Sequence, residues 1–175
     1  AGRRTAVHNA RGFLTTTVYD RAGRAIAKVN PLGYTATNVF DPAGRMIAVM
    51  NPHGSISTTL YDSAGRSVAT VSTIGQRVTS VFDPADRLVA TVNGRGFAVT
   101  NLYDPAGRQT AQIDALGCAT TFGYDAAGRQ TLKWTPRDIR QTLVYDAAGQ
   151  HVEDRYPSGL RHTYTYDPAG RRSSF

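Results

Sequence analysis

The string Tyr103-Asp104-Pro105-Ala106-Gly107-Arg108 decides the fold, because versions of it return every 21 residues with no insertion or deletion. The copies begin at Tyr19, Phe40, Tyr61, Phe82, Tyr103, Tyr124, Tyr145 and Tyr166. A fixed period of this size is typical of repeat proteins, in which each unit buries its apolar face against its neighbours. We therefore predict a single array of about eight 21-residue repeats over residues 1–175, cut from a longer repeat region.

Each repeat contains two segments that favour strands and two that favour turns. Residues 13–19 and 24–29 are rich in β-branched and apolar side chains, whereas residues 20–23 and 30–33 carry aspartate, asparagine, proline and glycine. Helix is disfavoured because strong breakers recur every ten or eleven residues. The sequence predicts an all-β fold, a repetitive antiparallel β-hairpin array that forms a long coiled sheet, part of a shell or wide barrel.

The odd period constrains the lengths of the two turns. Side chains alternate between the two faces of a strand, so every repeat presents the same faces only if one turn has an odd number of loop residues and the other an even number. We expect the Asp-x-Ala-Gly-Arg turn to be a three-residue loop closed by a glycine bulge, and the Asn-Pro-x-Gly turn to be a four-residue loop. The predicted pairs are Asp20 with Arg24 and Val18 with Ile26 on one face, and the other face carries Tyr19, Ala27 and Val29.

The recurring residues are interpreted as structural rather than catalytic. Aspartate caps its own turn and pairs with arginine across the hairpin, while the tyrosines form a stacked seam. A charged strip for a glycan and a tyrosine platform for sugar rings or bases are the alternative interpretations. The representative repeat residues are Tyr19, Asp20, Gly23, Arg24, Tyr61, Asp62, Gly65, Arg66, Tyr103, Asp104, Gly107 and Arg108.

Composition restricts the remaining function classes. The net charge of +7 favours polyanions, although much of the arginine belongs to the repeat and has an aspartate partner nearby. Cys118 is the single cysteine, the four histidines lack metal-ligand spacing, and no apolar run approaches a membrane span. We expect no catalytic residue, cofactor or metal. The basic late repeats suggest a candidate polyanion site at Arg137, Arg140, Arg155, Arg161 and Arg171.

The repeated string, with its second glycine midway through the period, resembles the YD repeat of the Rhs family. That family includes bacterial rearrangement-hotspot proteins, the C component of insecticidal toxin complexes, wall-associated proteins and, more distantly, teneurins. The resemblance implies a β-sheet that spirals into a hollow shell and, in bacterial toxins, encloses a C-terminal cargo domain. It implies a secreted or cell-surface bacterial protein whose partners are the flanking repeats and the cargo.

The resemblance transfers no catalytic residue to this chain. The family's cleavage motif has an Asp-Pro-x-Gly-Leu sequence, and the most similar string here is the repeat turn Asp167-Pro168-Ala169-Gly170-Arg171, which has arginine in place of leucine. We therefore predict a non-enzymatic structural segment, with an anionic-glycan or polyanion module as the alternative. Since terminal strands expose unpaired backbone groups, we also expect self-association through the sheet edges.

Overall fold

The computed structural model describes residues 3–174, and this part of the chain contains strands and turns but no helix. The strands are β1 (Arg4–His8), β2 (Leu14–Tyr19), β3 (Ala25–Val29), β4 (Thr35–Phe40), β5 (Met46–Met50), β6 (Ile56–Tyr61), β7 (Ser67–Val71), β8 (Arg77–Phe82), β9 (Leu88–Val92), β10 (Ala98–Tyr103), β11 (Gln109–Ile113), β12 (Ala119–Tyr124), β13 (Gln130–Trp134), β14 (Arg140–Tyr145), β15 (His151–Arg155), β16 (Arg161–Thr163), β17 (Thr165–Tyr166) and β18 (Arg172–Ser174).

The strands follow the order of the chain. Over the described residues, β1 to β16 form one open antiparallel sheet in sequence order, and β17 pairs with β18 in a separate hairpin. The predicted all-β hairpin array is thus confirmed. The backbone divides into two compact units, residues 3–81 with 92–96 and residues 82–91 with 97–174. The single array over 1–175 stays a prediction, and Ala1, Gly2 and Phe175 lie outside the described residues.

The Asp-x-Ala-Gly-Arg turn has the predicted three-residue loop. The Asp20 N–H donates to the Arg24 carbonyl at 2.9 Å, and the Gly23 N–H donates to the Asp20 carbonyl at 3.2 Å. Gly23 has a φ of 81°, in the left-handed region that closes a type I turn with a bulge. The prediction that Asp20 lies opposite Arg24 is confirmed.

The Asn-Pro-x-Gly turn does not have the predicted four-residue loop. The Asn30 N–H donates to the Tyr34 carbonyl and the Gly33 N–H to the Asn30 carbonyl, each at 2.9 Å, so this turn has the same three-residue geometry as the first. The Asn30 side chain supports it by accepting from the backbone N–H groups of Leu32 and Tyr34. The prediction failed because asparagine and glycine fit a three-residue bulge turn as well as a longer loop.

Both loops have three residues, so they cannot by themselves account for the odd period of the repeat. A bulge in the first hairpin supplies the additional residue. Tyr19 lies opposite Ala25, whereas Val18 lies opposite Ala27, so Ile26 is the additional residue on β3. The predicted pairing of Val18 with Ile26 is therefore wrong. The same register shift recurs in β4–β5, β6–β7, β10–β11, β12–β13 and β14–β15.

The corrected register also changes the predicted faces. Since directly paired residues share a face, Ala27 and Val29 lie with Val18 and Thr16 rather than with Tyr19. We call this surface the aliphatic face. It carries half-exposed residues at the equivalents of Val18, namely Val39, Leu60, Val81 and Leu102.

Very little of the described chain is buried. Ala69 and Ala111 are its only buried apolar residues, and no large side chain is fully buried. Strands in each unit contact the strands next to them in sequence. Each unit is consequently stabilised by backbone ladders and contacts between neighbouring hairpins rather than by a packed core.

The left-handed turn glycines generate a prediction. A Cβ at Gly107 would meet nothing within 4 Å, so the Gly107→Ala variant tests backbone strain alone. We expect a loss of about 1–2 kcal/mol in the free energy of unfolding. The lowered midpoint of urea denaturation measures this loss. The control is Ala106→Ser, at the preceding turn position. Equal stability of Gly107→Ala and wild type would contradict the turn assignment.

Candidate functional site: the arginine ladder

The aspartate and arginine of each first turn form a short ion pair. In the first complete repeat, the Arg24 Nε donates to Asp20 Oδ2 at 2.7 Å, and the Arg24 backbone N–H donates to Asp20 Oδ1 at 2.9 Å. The carboxylate thus accepts from both the backbone and the side chain of one residue. Equivalent pairs join Asp41 to Arg45, Asp62 to Arg66, Asp83 to Arg87, Asp104 to Arg108, Asp125 to Arg129 and Asp167 to Arg171.

The same guanidinium also contacts the next repeat. When the register that pairs Ala27 with Thr37 is continued past the bulge, Arg24 lies opposite Phe40. The Arg24 guanidinium carbon is 4.8 Å from the Phe40 ring centroid, and its Nη1 approaches the Asp41 carbonyl at 3.5 Å. Arginine therefore joins its own turn to the next Tyr/Phe-Asp pair.

This arrangement, which we call the arginine ladder, repeats within both units. The guanidinium-to-ring distances are 4.7–5.0 Å, and the pairs are Arg45 with Tyr61, Arg87 with Tyr103, Arg108 with Tyr124 and Arg129 with Tyr145. The sequence predicted the aspartate–arginine pair but not the contact between repeats, because the β3–β4 register depends on the three-residue second turn, which was predicted to have four residues.

The tyrosine hydroxyls form a second link between successive repeats. Each hydroxyl donates to the backbone carbonyl of the residue fifteen positions earlier, as in Tyr124 to Gln109 at 2.7 Å. This bond lies beyond the end of the backbone ladder that joins β11 to β12. Equivalent bonds join Tyr61 to Met46, Tyr103 to Leu88, Tyr145 to Gln130 and Tyr166 to His151. Where phenylalanine replaces tyrosine at Phe40, the Asn38 side chain donates to the corresponding carbonyl of Ala25 at 2.9 Å.

The repeat that begins at Tyr145 has Gln150 in place of the arginine and contains a different polar cluster. Asp154 is only 5% exposed, lies 3.0 Å from His151 Nε2, and accepts a 2.6 Å hydrogen bond from the Tyr164 hydroxyl. Burial alone would raise the pKa of Asp154, but hydrogen bonds from Tyr164 and Gln141 and the nearby His151 together lower it.

Sequence analysis missed this cluster. A signal was present, since His151, Asp154 and Tyr164 occupy positions that hold Gln130, Lys133 and other residues in the preceding repeat. The Tyr164 pKa is raised, chiefly by its hydrogen bond to Asp154. The tyrosine therefore stays protonated, and its hydroxyl donates this hydrogen bond. The cluster holds two strands together and presents no activated nucleophile.

Three of the predicted polyanion residues form ion pairs within the chain. Arg155 and Arg161 both contact Glu153, at 2.8 and 3.3 Å, and Arg171 pairs with Asp167 at 2.8 Å. Arg137 is exposed in the turn before β14, and Arg140 is exposed at the start of that strand. The polyanion site stays a prediction, for which three of the five side chains already have an acidic partner.

Along residues 3–174, no cluster of three His, Cys, Asp or Glu side chains has the proximity of a metal site. Cys118 is exposed, and its backbone N–H donates a hydrogen bond to Asp114 Oδ1. The described part of the chain contains no helix with the length and hydropathy that a membrane crossing requires.

The repeat is found in a known family. Residues 103–133 match the family model described as RHS repeat. The chain contains an RHS repeat over these residues. The family resemblance inferred from the sequence is thereby confirmed. No curated protein sequence is significantly similar to this RHS-repeat chain.

Solved structures share its fold. One is the Photorhabdus luminescens Tc holotoxin pore with a TccC3 mutation, at a TM-score of 0.73 and 13% identity over 92% of this chain and 10% of that chain. Another is TcdB2–TccC3 without its hypervariable C-terminal region, at a TM-score of 0.64 and 18% identity over 95% of this chain and 10% of that one. The RHS-repeat chain thus spans about a tenth of the structures it matches.

The tyrosine links generate a prediction with an internal comparison. In Tyr124→Phe the Gln109 carbonyl loses its side-chain donor, so we expect a loss of about 0.5–1.5 kcal/mol in the free energy of unfolding. In Tyr103→Phe the loss is smaller, because Asn101 still donates to the Leu88 carbonyl at 3.0 Å. Urea denaturation of both variants measures the difference. A larger loss for Tyr103→Phe would show that the hydroxyls do not act through these carbonyls.

The aspartates of the arginine ladder predict a response to acid. The backbone N–H of the paired arginine is the largest cause that lowers the pKa of each carboxyl, and the guanidinium adds to it. The unfolded pKa is about 3.9, so the stabilisation is complete above that pH and is lost as the pH falls through the lower folded values.

We expect the urea midpoint to be constant between about pH 6 and pH 5 and to decrease progressively below about pH 4. Asp104→Asn, which cannot titrate, should show a shallower decrease over the same range. If acid leaves the wild-type midpoint unchanged down to about pH 2.5, the aspartates do not contribute through ionisation.

Proposed function

We propose that this RHS-repeat chain is a non-enzymatic structural segment of a β shell that encloses or displays a cargo or toxin domain in a secreted or cell-surface, Rhs-like bacterial protein. The observation that carries the proposal is the arginine ladder, in which each repeat binds its own turn and the next one. Such contacts suit a wall that is extended by adding repeats. The fold that it shares with parts of Tc toxin structures supports the same role.

The distribution of apolar side chains agrees with a wall that covers something else. The aliphatic face leaves Val39, Leu60, Val81 and Leu102 each more than 40% exposed although they are regularly repeated. A single-layer sheet with such a face needs further apolar contacts, from flanking repeats or from an enclosed segment. Its partners are therefore proposed to be those repeats and the cargo, with contacts through the sheet edges as a further route to association.

The alternative, a module that binds an anionic glycan or another polyanion, has less support. The ion pairs of Arg155, Arg161 and Arg171 reduce the charge that these side chains offer to a ligand. Arg137 and Arg140 are two cations on one hairpin connection, which is fewer than salt-dependent polyanion binding generally uses.

The enclosure proposal predicts protease protection. In the complete gene product that contains these repeats, we expect the segment after the array to resist proteinase K at urea concentrations below the midpoint of the array. The double variant Asp104→Ala, Arg108→Ala should lose this protection at a lower urea concentration, because it removes one step of the arginine ladder. Fragment masses measured over time provide the readout.

The matched control is Arg21→Ala, an exposed turn-tip arginine outside the arginine ladder. Rapid digestion of the downstream segment while the array remains folded would overturn enclosure. Equal effects of the double variant and of Arg21→Ala would overturn the role of the arginine ladder in maintaining the wall.

A further inference from the structure

The two sets of turns have the same backbone geometry but different side chains at their tips. In the unit of residues 3–81 with 92–96, the Asp-x-Ala-Gly turns present small or uncharged residues, such as Pro42, Ala43 and Ala64, except at Arg21. The turns on the opposite edge present large side chains. Their tip residues, one before the left-handed glycine, are Arg11, Leu32, His53, Ile74 and Arg95.

Basic and aliphatic residues alternate strictly along these five tips, which we call the alternating edge. All five are exposed, and the two aliphatic members are among the most exposed apolar residues of the chain, Leu32 at 78% and Ile74 at 77%. Isolated exposed leucines need no explanation, but a regular alternation of arginine or histidine with an aliphatic side chain along one edge does. Neighbouring tips are two strands apart, which is about 9.6 Å.

Aromatic residues accompany the tips. Phe13 and Tyr34 each follow a turn glycine and are about half exposed. The Tyr34 ring lies 6.2 Å from the ring of His53 in the next turn. Aromatic side chains of this kind are enriched at the polar–apolar boundary of membranes, with aliphatic side chains beyond them and basic ones among the head groups.

A depression between two tips adds a place for an anionic group. It has a volume of about 350 Å³ and is lined by Ile74, Arg77 and Arg95 among others. The turns approach closely here, since a Cβ at Gly94 would lie 3.2 Å from both the backbone N and the backbone O of Arg77. Neither Arg77 nor Arg95 forms an ion pair among residues 3–174, so both guanidinium groups can receive a phosphate.

We propose that the alternating edge docks on an anionic lipid surface. Leu32 and Ile74 insert between head groups, Arg11 and Arg95 bind lipid phosphates, and the aromatic residues lie at the boundary. A folded protein partner is a poorer fit, because single side chains spaced by two strands provide no continuous apolar patch, whereas a fluid interface accommodates separate insertions. This inference concerns the edge of the sheet and does not depend on cargo enclosure.

Vesicle flotation tests the proposal with the 175-residue chain at low ionic strength. We expect binding to phosphatidylcholine vesicles that contain about 30% phosphatidylserine, and at least fivefold weaker binding to phosphatidylcholine alone. The double variant Leu32→Asn, Ile74→Asn should bind the anionic vesicles at least tenfold more weakly. Arg95→Gln should bind about fivefold more weakly.

Matched controls lie on the opposite edge. Ala43→Asn, Ala64→Asn places the same new residue at the equivalent turn position, and Arg21→Gln removes the same charge. Both should bind like wild type, and the urea midpoints of all variants should agree with wild type so that unfolding is not the cause.

Absence of flotation with anionic vesicles overturns the proposal. So does an equal loss of binding in the opposite-edge controls, which would indicate net charge rather than the alternating edge. Salt-dependent retention on heparin that is unaffected by Leu32→Asn, Ile74→Asn, together with absent vesicle binding, would assign the edge to a soluble polyanion instead.

Discussion

The position of one guanidinium group per repeat is the constraint on which the described structure depends. Arg108 pairs with Asp104 in its own turn and lies over the ring of Tyr124 in the next repeat. An exposed ion pair by itself contributes little to stability. Its importance here is that the same side chain also determines how the next hairpin is placed. One residue therefore contributes both to the turn of its own repeat and to the contact with the next repeat.

The scarcity of buried residues gives these polar contacts more weight than they would have in a globular domain. Ala69 and Ala111 are the only buried apolar residues of the described chain. Hydrophobic burial usually supplies most of the free energy that offsets chain entropy. A single-layer repeat sheet has to obtain more of this free energy from backbone hydrogen-bond ladders and cross-strand side-chain pairs. Each such pair contributes a modest amount, but the pairs recur in every repeat. The aspartate, arginine and tyrosine that recur every 21 residues are the side chains that provide such pairs.

Period and turn residues predicted the hairpin array and the Asp20–Arg24 pair. Asp86 and Asp138, which stand at turn-glycine positions, have the same left-handed conformation as the glycines, with φ values of 67° and 58°. The period and the turn residues did not predict the register. An odd period constrains only the total number of residues in loops and bulges, so an even loop and a bulge satisfy it equally. Since Ile26 resembles any other β-branched strand residue, nothing in its identity marks it as the bulge. The contact of Arg24 with Phe40 depends on the length of the second turn, so it could not be predicted either.

The turns at the two ends of the strands show which side chains the fold requires and which it only tolerates. Both turns use the same pair of backbone hydrogen bonds and the same left-handed glycine, so turn geometry requires the same residues on both edges. At the tip, alanine satisfies the turn at Ala43 as well as leucine does at Leu32. The large apolar and basic tips therefore add nothing to folding, and an exposed leucine reduces solubility. Side chains that the fold neither needs nor buries are best explained by a contact outside the chain, and their restriction to one edge gives that contact a direction.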